Sequence, residues 1–80
     1  MTLVQPKITY VTLLPDATGA LQANVGEIWL LEPAKTYRQQ TIATVGGAAK
    51  ITQTEPFTGQ QFHWANWPLA LAQMVQVWEV

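Results

Sequence analysis

Cysteine and serine are both absent from the chain, and histidine occurs once, as His63. Without cysteine there is no disulfide and no thiolate zinc site, and one histidine cannot build a multi-histidine metal centre. A nucleophile for covalent catalysis must then be drawn from Thr, Lys, Asp, Glu, Tyr or His. Charge is scarce too: Lys7, Lys35, Arg38 and Lys50 stand against Asp16, Glu27, Glu32, Glu55 and Glu79. Four scattered cations do not make the basic cluster that neutralises phosphates, so no nucleic-acid partner is expected. Long apolar runs are missing as well. Pro56 to Trp78 has no formal charge, yet Gln60, Gln61, His63, Asn66, Gln73 and Gln76 interrupt it, which argues against a spanning helix. Ile8–Leu14 is too short and too threonine-rich for a signal-peptide core. The expectation is no membrane association and synthesis in the cytoplasm.

What is present is apolar and aromatic. Apolar residues make up 49% of the 80, four of them Trp. A chain of this size reads as one domain, 1–80, whose core alone supplies about 3–5 kcal/mol unless something staples it. With disulfides and metal excluded, good packing or oligomerisation remains, and the abundance of large apolar side chains favours oligomerisation. Thr and Gln supply most of the polar positions. A lightly charged surface of that kind can lie against a copy of itself without strong repulsion, or it can simply be a neutral globular surface.

The chain is organised around Gly26–Leu31, where Ile28-Trp29-Leu30-Leu31 is its only run of four large apolar side chains. Alternate residues of a strand point to opposite faces, so this run predicts a central strand covered on both sides, or covered on the second by a partner. Before it, Met1–Pro6 reads as a short arm, and Lys7–Leu14 as a strand with Ile8, Tyr10, Thr12 and Leu14 on its larger-residue, buried side. Pro15-Asp16-Ala17-Thr18-Gly19 is a turn: proline presets φ, Asp can form an Asx-turn and Gly can take φ > 0. Glu32-Pro33 ends the central strand. Ala34–Gln40 is polar and is expected to be a solvated loop or one helical turn.

Two β-compatible runs, Thr41–Val45 and Ala48–Thr52, flank Gly46-Gly47. They predict a two-residue hairpin with Val45 facing Ala48, Ala43 facing Lys50 and Ile42 facing Ile51. Because β residues rather than a helix follow the glycines, a phosphate-binding loop is excluded. Glu55-Pro56-Phe57-Thr58-Gly59 is a second turn. Gln60–Trp67 then alternates, with Phe62, Trp64 and Asn66 on one side and His63, Ala65 and Trp67 on the other; a strand is expected as far as Trp64. Pro68–Gln73 suits a bend or one helical turn, and a strand follows from Met74. The predicted fold is therefore all-β: a small barrel or sandwich-like domain of five or six short strands, with at most one helical turn.

Catalysis finds little support in these residues. Asp16 is explained by its turn, the glutamates are far apart, and His63 between Phe62 and Trp64 suits a structural or interface role as well as general-base work. No enzyme activity and no cofactor is expected. Phe57, Phe62, Trp64 and Trp67 can pack a core, anchor a protein interface or stack on sugars. Only Asn66, Gln60 and Gln61 offer polar groups to a sugar's hydroxyls. The uncharged ends, Met1–Gln5 and Met74–Val80 with only Glu79, are candidate edge strands for another chain. The candidate interface residues are accordingly Phe62, Trp64, Trp67, Trp78, Leu3 and Val4.

Taken as a whole, the short β-rich chain without Cys or Ser, its Thr/Gln surface and its Pro-Asp-Ala-Thr-Gly and Gly-Gly turns resemble a small structural protein of tailed bacteriophages. The likeness is one of type, to head-decoration (cement) proteins first and to neck or tail components second. It implies a trimeric or dimeric virion protein on the capsid surface that contacts copies of itself and the major capsid protein. The competing expectation is a carbohydrate- or peptide-binding module built on the Trp-rich face.

Overall fold

The computed structural model describes residues 1–80, except for the side chain of Val45. It shows an all-β domain of eight strands: β1 (Thr2–Val4), β2 (Ile8–Pro15), β3 (Leu21–Trp29), β4 (Thr36–Val45), β5 (Ala48–Gln53), β6 (Phe57–Thr58), β7 (His63–Pro68) and β8 (Gln73–Glu79). Leu69–Leu71 forms a single 3-10 turn between β7 and β8. The strands make two antiparallel sheets. One has the order β1-β8-β4-β5 with the short β6 also on β4, and the other has the order β2-β3-β7.

Local chemistry sets the turns. Between β2 and β3, Asp16 Oδ1 accepts from the Thr18 backbone N–H at 2.8 Å, the Thr18 hydroxyl at 2.6 Å and the Ala20 backbone N–H at 3.1 Å. These bonds hold the Asp16 carboxyl below its ordinary range, the Thr18 hydroxyl contributing most. Gly46 and Gly47 take φ of 58° and 81°, the pair of positive values that a type I′ turn requires. The predicted register follows from it: Val45 opposite Ala48, Ala43 opposite Lys50 and Ile42 opposite Ile51.

The core lies where the sheets face each other. Trp29 (1% exposed), Leu31, Tyr37, Trp67, Val75 and Val77 (0%) fill it, with Val4, Val25, Phe57 and Ala65 packed at its edge. Trp29, Val25, Ala65 and Trp67 all come from the inward side of β3 and β7. Val75, Val77 and Tyr37 come from the inward side of β8 and β4. Two polar groups at the core are partnered: the Trp29 indole N–H donates to the Val4 carbonyl at 3.1 Å, and the Tyr37 hydroxyl accepts from the Glu32 N–H at 3.0 Å.

Several expectations are corrected by this arrangement. The strand count is eight, because two- and three-residue pieces such as β6 and β1 gain their partners from distant chain. The segment Met1–Pro6 is not a free arm, since Thr2, Leu3 and Val4 pair with Glu79, Trp78 and Val77. β8 is thereby an interior strand, between β1 and β4, and not an open edge. The central strand stops at Trp29, leaving Leu30 exposed and Leu31 buried beyond it. Ala34–Gln40 is not a loop or helical turn: β4 begins at Thr36, drawn into the sheet by pairing to both β8 and β6. Gln60–Phe62 lies outside any strand, and β7 runs on past Trp64 to Pro68.

Candidate interaction surface

β2, β3 and β7 lie side by side, so their even-numbered residues share one face, directed away from the second sheet. Ile8, Ile28 and Trp64 stand opposite one another across the three strands and form an apolar row. Next to it come Tyr10, Gly26 and Asn66. The Tyr10 ring lies so closely on Gly26 that a Cβ there would run into it, which is why this backbone position is glycine. Trp64 is 64% exposed and Phe62, just before β7, is 62% exposed; Leu30 beyond β3 is also open. The paired positions of this face carry no Asp, Glu, Lys or Arg: Ile8, Tyr10, Thr12 and Leu14 on β2, Gln22, Asn24, Gly26 and Ile28 on β3, and Trp64, Asn66 and Pro68 on β7.

Of the six residues the sequence singled out, this surface gathers Phe62 and Trp64 only. Trp67 belongs to the core, at 5% exposure, because its odd-numbered place in β7 points inward. That corrects its expected part as a surface anchor. Val4 is half-buried against the core and holds the Trp29 indole. Leu3 and Trp78 are cross-strand neighbours on the outer face of the other sheet, beside Arg38, and the Trp78 side chain is half-buried there. Ile8, Tyr10, Ile28 and Leu30 were not among the candidates. The signal for Ile8 and Tyr10 is the larger-residue face of β2, expected to be buried, and that for Ile28 and Leu30 is the central apolar run; the structure turns the β2 face outward, leaving Ile8 and Leu14 exposed.

His63 is engaged inside the fold. Its Nε2–H donates to Gln39 Oε1 at 2.7 Å, joining the two sheets, and its ring stacks on Phe57 at 4.9 Å. Burial pushes its pKa below the ordinary histidine value. Glu27 lines an open groove of about 310 Å³ with Leu3, Pro6, Trp29 and Gln76, and partial burial pushes its carboxyl up. Among the described residues, no three His, Cys, Asp or Glu side chains come together as a metal site. Lys35 bridges Glu79 at 2.9 Å and Glu32 at 3.5 Å on the rim, and its pKa is raised first of all by the bond to Glu79.

What this arrangement can do chemically is contact. A flat, uncharged face with an exposed indole and phenyl ring suits a protein surface or a stacked ring, and no proton-transfer pair lies on it. No family model, no curated protein and no solved structure matches the chain.

Proposed function

We propose that the protein is a non-enzymatic structural subunit that works by assembly, as a decoration protein on a phage capsid does, binding copies of itself and the coat lattice. The observation that carries this is the balance of its surface. Among the described residues, fifteen large apolar side chains are exposed while six are buried. The accessible area of 5467 Å² exceeds the about 4,800 Å² of a compact monomer of 8.9 kDa. The radius of gyration, 14.0 Å, likewise exceeds the about 11.6 Å of a compact 80-residue domain. An open, lightly charged β domain of this kind gains by burying its faces against neighbours.

Sedimentation across the micromolar range tests the first half of this reading, and binding to undecorated capsids tests the second. The expected results are a dimer or trimer and saturable occupancy of symmetry-related capsid sites. A dilution-resistant monomer that leaves capsids bare would overturn both. The exposed Trp64 beside Asn66 also fits a carbohydrate- or peptide-binding module. A saturable change in Trp fluorescence on adding glycans, from a protein that stays monomeric, would favour that module instead.

A further inference from the structure

We infer that β2 is the self-association edge: it pairs antiparallel with β2 of a second copy, about a two-fold axis at Val11, and joins the two three-stranded sheets into one of six. This rests on the assembly reading and names the contact within it. The sheets leave five outer strands, β1, β5, β6, β2 and β7. Of these, β1 has three residues and β6 two, β5 carries Lys50 in its middle, and β7 runs close to β8 where the sheets meet. β2 differs from all four. Ile8–Leu14 contains no charge and no proline, and is bracketed by Lys7 and Pro15.

An uncharged edge of this length is what soluble proteins normally interrupt, because its unpaired N–H and C=O groups accept another strand. Here it is also apolar on both sides. Val11 (62%) and Leu13 (65%) are exposed on the inward side, and Ile8 and Leu14 are exposed on the other. Cover for both sides and the edge at once comes from a strand laid alongside with its own sheet behind it. A second copy suits because the strand is self-complementary. With Val11 opposite itself, Ile8 meets Leu14, Thr9 meets Leu13 and Tyr10 meets Thr12. Every pair is apolar or threonine-containing, no like charges meet, and each residue keeps its side of the sheet. Pro15, which lacks an N–H, falls just outside the paired run.

The absence of cysteine makes the test clean. Directly opposed residues of an antiparallel pair have Cα atoms about 4.5–5.5 Å apart, within the range that a disulfide spans. Val11→Cys should therefore give covalent dimer under mild oxidation, many-fold faster than Ile51→Cys, which is exposed on a strand outside the contact. Val11→Lys sets like charges opposite each other and should raise the self-association constant's Kd at least tenfold, with an unchanged circular dichroism spectrum. Sedimentation of the unaltered chain separates the two levels. If it assembles but Val11→Cys links no faster than Ile51→Cys, or Val11→Lys assembles undiminished, the β2 contact is wrong and assembly stands. If it is a monomer throughout, both fail.

Discussion

Trp29 sits at the meeting point of both sheets, and its indole N–H links β3 to β1. Trp29→Phe removes that donor, leaves the Val4 carbonyl without it and opens a small void. The expected cost is about 2–3 kcal/mol, read as a lower urea midpoint at unchanged slope. Trp64 is the contrast, because its ring lies on the surface. Trp64→Ala should change stability by less than about 0.5 kcal/mol while weakening binding to the capsid lattice about tenfold or more, as loss of an aromatic anchor does. His63 gives the residue scale its pH dependence. Its folded pKa is lowered by burial, so the unfolded chain takes up the proton first. The stability it contributes is complete above about pH 6.5, the unfolded value, and is lost as pH falls from there through the folded value. Denaturation at pH 7.5 and 5.5 should show the drop. His63→Gln, which keeps a donor toward Gln39 and cannot titrate, should remove this part of it.

At the scale of elements, the N-terminal strand carries the sharpest prediction. Deleting Met1–Gln5 would cost nothing if this segment were a free arm. As a strand on β8 that supplies the acceptor for Trp29, its loss should destabilise the domain by about 2–4 kcal/mol, from an orphaned indole N–H and uncovered core surface. A thermal melt of the truncated chain distinguishes the two. The difference is one between local and distant information. Gly46-Gly47, Pro15–Gly19 and the helical turn before β8 could be read in the sequence because their cause lies within a few residues: positive φ, an Asx acceptor, a proline. β1, β6 and the start of β4 could not, because partners tens of residues away make them strands. The candidate surface was half legible for the same reason. Alternation had already put Phe62 and Trp64 on one side of β7 and Trp67 on the other. Which side the second sheet would cover was not written locally, so Trp67 was grouped with the surface and the outward row of β2 with the core.

Across the whole molecule, the proposed assembly would tie stability to concentration. The domain extends over 43 × 28 × 18 Å with its core confined to the region where the sheets overlap. Assembly removes apolar surface that the single chain leaves in water, and a folded state that associates is stabilised by mass action. The melting temperature should therefore rise with protein concentration, and Val11→Lys should flatten that rise while leaving the dilute limit nearly unchanged. Salt separates this from an electrostatic contact. The faces invoked carry no ionic groups, so sodium chloride, which screens charge pairs, should not loosen the assembly. Sulfate, which strengthens apolar burial, should tighten it. Sedimentation at low and high sodium chloride, and again in sulfate, measures both signs. An assembly that falls apart in sodium chloride would place the contact elsewhere, on charged edges such as the Lys35–Glu79 rim, where the bridging groups are partly open to solvent.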